Sequence, residues 1–334
     1  MREKTISLVT GGAGFIGAHV TKELLEYGHE VIVLDDLSGG FIENVDPKAT
    51  FIEGSITDYT LISNIFAKNK IDYVYHLAAY AAEGLSHFIK RFNYMNNLVG
   101  SVNLINESVK HKIKCFVFTS SIAVYGQGQL PMTENMIPQP EDPYGIAKLA
   151  VEQELKVTKE MFGLDYVIFR PHNVYGEYQN IGDKYRNVLG IFMNQLLQDK
   201  PITIFGDGNQ TRAFSYIGDI VPAIARCVDI PGAYNEIFNI GAEKDYAVNE
   251  LARIIMEALD LSSNIRYLPA RNEVKHAYSD HSKAMKVFER ESTTSLENGV
   301  KKMVNWVKKV GVRETKNFEN IEIMEKLPSV WLEE

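Results

Sequence analysis

Short apolar runs alternate with amphipathic segments through the first half of the chain. The runs are the length of buried strands, and they are predicted at residues 6–10, 30–34, 50–53, 73–77, 115–118 and 166–169. Helical periodicity fills the intervals, most clearly in a segment ending near residue 27 and at 92–111 and 144–162. Apolar strands that alternate with helices predict an α/β fold with a doubly wound parallel sheet.

The character of the sequence changes after Gly176. A polar loop leads to a helix ending near residue 200, followed by a strand at 202–205, an amphipathic helix at 248–259 and a strand at 265–268. We therefore predict a first domain at 1–176 and a smaller C-terminal α/β lobe at 177–334. Some segments of the second part are expected to return to the first domain.

Composition narrows the classes of function. The 334 residues carry a net charge of −8 without a long basic run, which argues against nucleic acid as a partner. There is no apolar run near ~18 residues and no apolar leader segment, so neither membrane insertion nor export is expected. Cys115 and Cys227 lack metal-ligand spacing and predict buried free thiols in a reducing, cytoplasmic setting, with no metal site.

A glycine loop follows the first predicted strand. Gly11, Gly14 and Gly17 let backbone amides approach a pyrophosphate at a helix N-terminus, where the helix dipole favours negative charge. Asp35 ends the second predicted strand, where a carboxylate binds the ribose hydroxyls of NAD and repels the 2′-phosphate of NADP. Asp36 adds to that repulsion. This strand–loop–helix–strand unit predicts a dinucleotide-binding Rossmann fold with NAD as cofactor.

Tyr144 and Lys148 lie one helical turn apart on the predicted helix 144–162. An ammonium beside a phenol favours the phenolate, which makes the tyrosine a usable base. The pair is weak by itself, but other polar residues fall at predicted strand ends, among them Thr119 to Ser121 and Arg170 to Asn173. Ligands in doubly wound sheets bind beyond these carboxyl ends.

Five motifs recur in order along the chain and carry a family resemblance. They are Thr10 to Gly17, His76 to Ala79, Ser120 to Gly126, Pro143 to Lys148 and Arg170 to Gly176. On these motifs the chain resembles the extended short-chain dehydrogenase/reductases, within the nucleotide-sugar epimerases and near the UDP-glucose 4-epimerase family. The resemblance implies NAD-dependent 4-epimerisation of a UDP-hexose through a transient 4-keto sugar.

The resemblance also implies roles for single residues. Tyr144 would take the proton of the sugar 4-hydroxyl while C4 gives a hydride to NAD, Ser121 would hydrogen-bond the same oxygen, and Lys148 would hold the nicotinamide ribose and lower the pKa of Tyr144. The implied cofactor contacts are Gly11, Gly14, Phe15, Ile16, Gly17, Asp35, Ser55, Ile56, Leu77, Ala78, Ala79, Asn97, Thr119, Tyr144, Lys148 and Pro171. The implied substrate contacts are Ser121, Asn173, Asn187, Thr203, Phe205, Arg212, Arg271 and Ala277.

Other functions compete on the same fold. A 4,6-dehydratase of this family carries Asp-Glu where this chain has Ile122 and Ala123, so dehydration is disfavoured and decarboxylation less firmly so. A UDP-glucuronate 4-epimerase stays open, with Arg212 or Arg271 as a carboxylate ligand. A nucleotide-sugar reductase and a non-catalytic NAD-sensing protein are weaker alternatives.

The size of one residue bears on the substrate. The small side chain of Ala277 falls at the position that gates N-acetylated substrates in the family, so both UDP-glucose and UDP-N-acetylglucosamine types are expected to fit. The resemblance further implies a homodimer through a helical bundle built from residues 92–111 and 144–162.

Overall fold

The computed structural model describes residues 4–128, 130–270, 275–290, 294–315 and 317–332. Its strands are β1 (Ile6–Thr10), β2 (Glu30–Asp35), β3 (Thr50–Glu53), β4 (Tyr73–His76), β5 (Cys115–Thr119), β6 (Tyr166–Pro171), β7 (Val174–Tyr175), β8 (Ile202–Phe205), β9 (Thr211–Ala213), β10 (Ser215–Tyr216), β11 (Glu236–Ile240), β12 (Asp245–Ala247), β13 (Ile265–Leu268) and β14 (His276–Ala277).

The helices within the described residues pack around the strands. They are α1 (Phe15–Glu26), α2 (Tyr59–Lys68), α3 (Glu83–Ser86), α4 (Lys90–Tyr94), α5 (Gly100–Lys110), α6 (Pro143–Phe162), α7 (Val188–Leu197), α8 (Ile217–Arg226), α9 (Val248–Leu259), α10 (Ser282–Val287) and α11 (Leu296–Val310).

The central sheet is parallel and has the order β11-β6-β5-β4-β1-β2-β3. The chain runs outward from β1 through β2 and β3, then crosses back to β4 and builds the other half. The strand order reverses direction between the adjacent strands β1 and β4. Doubly wound sheets bind their ligands at this topological switch point. The predicted fold class is therefore confirmed.

Strand side chains alternate between two buried layers, as the period of two requires. Leu8, Ile32 and Phe116 face the layer packed by α2, α5 and α6. Their neighbours Val9 and Val33 face the other layer, packed by α1, α8, α9 and α11. Both faces of the sheet are covered, which explains why these strands are almost uniformly apolar.

The segment predicted as one helix over 92–111 is interrupted. A π-helical turn at Met95–Val99 separates α4 from α5. The Asn96 side-chain amide donates to the Phe92 carbonyl at 3.0 Å, the acceptor that an unbroken helix would offer to the Asn96 backbone N–H. Side-chain competition for this carbonyl accounts for the wider turn.

A buried ion pair joins α6 to the end of β6. Arg170 donates from Nε to Glu152 Oε1 at 2.9 Å and from Nη2 to Glu152 Oε2 at 2.5 Å, and both side chains are almost fully buried. Ser120 donates to the same carboxylate at 2.5 Å, and Arg170 Nη1 donates to the Tyr125 hydroxyl at 2.7 Å. The Tyr125 hydroxyl in turn donates a hydrogen bond to Asn239 Oδ1 on β11 at 2.7 Å. This network fixes α6 against the ends of three strands.

Arg170→Met should destabilise the protein by roughly 3–5 kcal/mol, because it leaves the Glu152 carboxylate buried without its cation. Urea unfolding followed by circular dichroism would measure the loss. The matched control is Arg253→Met, which removes an exposed pair with Glu257 on α9 and should cost less than about 1 kcal/mol. Equal losses in the two variants would contradict this account of the network.

Candidate active site

A cavity of about 760 Å³ opens where the carboxyl ends of the central strands meet the second lobe. The glycine loop after β1, the end of β2, the run after β4, the end of β5 and the start of α6 all line it. Residues from β8, β9, β14 and α7 close the opposite side. A cavity of this size at a topological switch point is the expected place for a small-molecule ligand.

The glycine loop fits a dinucleotide by its close approaches. A Cβ on Gly17 would stand 2.0 Å from the Gly11 carbonyl oxygen, and a Cβ on Gly11, at φ +73°, would stand 2.7 Å from the Ala78 amide. Gly14 begins α1 without a side-chain cap, so the first N–H groups of this helix face the cavity. Backbone donors, a helix dipole and the absence of side-chain bulk are what a diphosphate requires.

Asp35 is held rigidly at the end of β2. Its carboxylate accepts hydrogen bonds from the Ala13 amide at 3.0 Å and the Leu37 amide at 2.8 Å. Burial raises the pKa of this carboxyl, against the lowering effect of those backbone donors. Each carboxylate oxygen retains capacity for a further donor, as ribose hydroxyls would supply.

Ser121, Tyr144 and Lys148 converge on one wall of the cavity. The Asp142 carboxylate caps α6 by accepting from the Gly145 amide at 2.9 Å, which fixes the first turn with Tyr144. Ser121 and Tyr144 line the same wall, and Ser121 Oγ accepts a hydrogen bond from the Ala123 amide at 3.1 Å. Lys148 Nζ donates to the Thr119 carbonyl at 2.8 Å and lies 5.8 Å from the centre of the Tyr144 ring. The three side chains therefore share one site although only two are close in sequence.

Burial shifts the pKa of both members of the Tyr144–Lys148 pair in the protein without cofactor. It raises the pKa of the Tyr144 phenol; Glu83 adds to that effect, and Ser121 and Arg186 oppose it. Burial also lowers the pKa of the Lys148 ammonium to about 7, against the opposing effect of Glu152. Desolvation is the largest effect on the pKa of both groups, because both lie away from water.

The second lobe supplies the other wall of the cavity. Thr203 and Phe205 stand on β8, Arg212 on β9 and Ala277 on β14, while Asn187 begins α7 with a left-handed backbone at φ 62°. Arg212 Nη1 donates to the carbonyls of Thr211 and Lys275 at 2.8 and 3.0 Å, which orients its guanidinium.

Most of the predicted contact residues line this cavity. Three are not among the lining residues. Ser55 lies outside the cavity wall, where its hydroxyl pairs with Thr57 at 2.9 Å. Asn97 is buried behind the wall, where its side chain binds the Tyr80 amide and carbonyl at 2.8 and 3.0 Å, so it positions Tyr80 instead of facing the cavity. Arg271 falls outside the described residues.

Among the lining residues that were not predicted are Tyr80, Gln179 and Arg186. Arg186 and Gln179 lie in the polar loop between β7 and α7, where a sequence alone suggests solvated side chains. Gln179 is in fact 1% exposed, and the Arg186 guanidinium lies 4.7 Å over the Tyr80 ring.

Two further observations concern the class of protein. Within the described ranges, no group of three or more His, Cys, Asp or Glu side chains is placed to hold a metal ion. The helices in the same ranges include none that is long and apolar enough to cross a membrane. Both cysteines are free and buried, as predicted.

The fold and the cavity define a Rossmann-type dinucleotide-binding enzyme. Residues 7–241 match the family model described as the NAD dependent epimerase/dehydratase family, and the chain belongs to this family. NAD is accordingly its cofactor, and the glycine loop with Asp35 would hold it. The resemblance drawn from the five motifs is confirmed.

Three similar proteins span nearly the whole chain. A putative UDP-glucose 4-epimerase of Methanocaldococcus jannaschii is 38% identical, with 90% of this chain and 98% of that protein covered. The crystal structure of UDP-glucose 4-epimerase from Thermotoga maritima with UDP-glucose is 36% identical, with 92% and 99% covered and a TM-score of 0.86. UDP-glucuronic acid 4-epimerase from Bacillus cereus, in complex with UDP-glucuronic acid and NAD, is 29% identical, with 92% and 100% covered and a TM-score of 0.84.

The depressed pKa of Lys148 predicts a stability curve that depends on pH. In NAD-stripped protein the unfolded chain keeps the lysine proton up to about pH 10.4, whereas the folded protein releases it near pH 7. Stability from this group therefore rises with pH between about 7 and 10, with a slope approaching ~1.4 kcal/mol per pH unit. Urea unfolding at a series of pH values measures the slope.

Lys148→Met and Lys148→Arg serve as controls for that slope. Methionine carries no proton, and arginine keeps its charge in both states, so neither variant titrates in this window. The free energy of unfolding of the wild-type protein should rise relative to both variants as the pH increases. Parallel curves for all three proteins would contradict the assignment.

Proposed function

We propose that the protein interconverts a UDP-hexose and its 4-epimer by reversible oxidation at C4. The observation that carries the proposal is the meeting of Ser121, Tyr144 and Lys148 with the glycine loop in one cavity. The neighbouring wall residues Ile122 and Ala123 cannot transfer a proton. A site without an acid pair at these two positions suits epimerisation better than the elimination of water.

The chain's residues divide the work of this reaction. NAD, held by the glycine loop and Asp35, would supply the reversible hydride acceptor for C4 of the sugar. Tyr144 removes the proton from the 4-hydroxyl and later gives it back, while Ser121 orients the same oxygen. Lys148, held by the Thr119 carbonyl, keeps a positive charge next to the phenol as the phenolate forms. Burial of Tyr144 excludes water from the transient ketone.

The wall beside Ser121 favours a neutral sugar. Ile122, Met132 and Ala277 form an apolar cluster there and also line the cavity. A carboxylate against such a surface would lose its hydration without gaining a partner. We therefore propose UDP-glucose and UDP-galactose as the substrate pair, and the small side chain of Ala277 leaves room for an N-acetyl group as well. UDP-glucuronate is the alternative, with Arg212 as its cation.

Incubation with a panel of UDP-sugars, followed by chromatographic separation of the 4-epimers, tests the proposed function. The wild-type enzyme should convert UDP-glucose and UDP-N-acetylglucosamine, and it should convert UDP-glucuronate much more slowly. Tyr144→Phe should turn over ~10²–10⁴-fold more slowly, because the residue that carries the proton is gone. NAD should stay bound in this variant.

The matched control is Tyr27→Phe, which changes an exposed tyrosine at the far end of α1. It should leave turnover unchanged. Near-normal epimerisation by Tyr144→Phe would defeat the mechanism. Faster conversion of UDP-glucuronate than of UDP-glucose would defeat the neutral-sugar proposal, and binding of only one of the two neutral sugar types would refute the role given to Ala277.

We further propose that two copies pair through α6 and the helical segment from α4 to α5. Val157 and Met161 on α6 are 57% and 70% exposed and lie one turn apart on one face. Met95 and Val99 are exposed on the neighbouring segment. Exposed apolar stripes on two adjacent helices support a bundle with a second copy.

Light scattering at micromolar concentration should give the mass of a dimer, and Met161→Lys should shift the protein towards the monomer by placing a charge in the apolar contact. Ile137→Lys is the control, because Ile137 is 81% exposed and lies in the loop before α6, on neither helix. A wild-type monomer, or equal masses for wild type and Met161→Lys, would rule this pairing out.

A further inference from the structure

The loop between β7 and α7 crosses from the second lobe onto the glycine loop. The Asn44 side-chain amide donates to the Ala13 carbonyl at 3.0 Å and reaches the Tyr178 carbonyl at 3.5 Å. One side chain therefore ties this crossing loop to the backbone that begins α1. The residues that follow Tyr178 lie next to the expected position of the cofactor's diphosphate.

Gln179 on this loop is a buried amide that faces the cavity without a partner. Its side chain is 1% exposed, and neither Nε2 nor Oε1 has a hydrogen-bond partner among the residues that the structure describes. Leaving a buried donor and acceptor unpaired costs free energy, and native proteins do so where a ligand or another group will supply the partner. The amide N–H of Gln179 can serve an anionic ligand oxygen.

Arg186, further along the same loop, brings a full positive charge to this part of the cavity. Its Nε donates to Asp183 at 2.6 Å and its Nη2 also pairs with this carboxylate, which fixes one edge of the planar guanidinium. The guanidinium lies against Gly39, where a Cβ would stand 3.2 Å from Nη2. Gly40 in turn touches the glycine loop, since a Cβ there would stand 2.7 Å from the Gly14 amide.

A diphosphate at the start of α1 needs more positive charge than the helix provides. The dipole of α1 contributes only about half an elementary charge. Asp35 and Asp36 lie at the end of the neighbouring strand, and Lys148 is directed to the Thr119 carbonyl. Arg186 is the fixed cation nearest to this corner among the contacts described above, and guanidinium is well matched to phosphate oxygens.

We propose that Arg186 and Gln179 complete the cofactor's diphosphate site from the second lobe. The first N–H groups of α1 bind the diphosphate from one side, and the crossing loop binds it from the other. Asp183 is a positioning residue that presents Arg186. NAD is then held between the two lobes. Its release requires the crossing loop between β7 and α7 to move away from the glycine loop.

Isothermal titration of NAD-stripped protein with NAD and with adenosine tests this proposal. Arg186→Met should weaken NAD binding roughly ten- to hundredfold, because a charge-assisted contact to the diphosphate is lost. Adenosine has no phosphate, so its affinity, measured by competition, should stay within about twofold. Gln179→Glu should also weaken NAD, because an isosteric carboxylate would repel the diphosphate.

Three controls separate ligand binding from a structural role. The thermal unfolding midpoint of each stripped variant reports on folding, and Arg186→Lys should restore part of the NAD affinity by keeping the charge. Arg253→Met removes an exposed arginine on α9 and should bind NAD like the wild type. Unchanged NAD affinity in Arg186→Met overturns the proposal, and so does an equal loss for NAD and adenosine. Unchanged NAD affinity in Gln179→Glu removes Gln179 from the site.

Discussion

The buried pair between Glu152 and Arg170 is the interaction on which the arrangement of the active site depends. Glu152 lies one turn beyond Lys148 on α6, and its carboxylate also accepts a hydrogen bond from the hydroxyl of Ser120, next to Ser121. A single carboxylate thus sets the position of the helix that carries the base and of the loop that carries the serine. Because both charges are desolvated, the pair tolerates little displacement.

Desolvation also governs the chemistry beside that pair. Burial raises the pKa of Tyr144 and lowers that of Lys148, so the protein alone holds the two in less charged forms than free side chains would adopt. A cavity that disfavours charge responds strongly to any charge placed in it. A positively charged group bound next to the phenol would therefore shift its proton equilibrium far more than it would in water.

Periodicity and local chemistry predicted the first part of the fold well. The glycine loop, Asp35 and the Tyr144–Lys148 pair are local patterns, since glycine spacing, strand length and helical spacing reveal them without knowledge of tertiary contacts. The π-helical turn was not predicted because it arises from one asparagine side chain binding a backbone carbonyl. The place of Arg186 was not predicted because it depends on contacts between the loop from β7 to α7 and residues distant in sequence, such as Tyr80.

Strand β11 has a consequence for how this protein can be made and folded. It comes from the middle of the second part of the chain, yet it pairs in register with β6 from Val167 to Pro171. In a chain that stops near Gly176, β6 would be an unpaired edge strand, although all of its residues are buried in the folded protein. An exposed apolar edge strand is a template for pairing with other chains. During synthesis the sheet must wait for distant residues before it closes, so the first half depends on the second for its solubility as well as for its ligand.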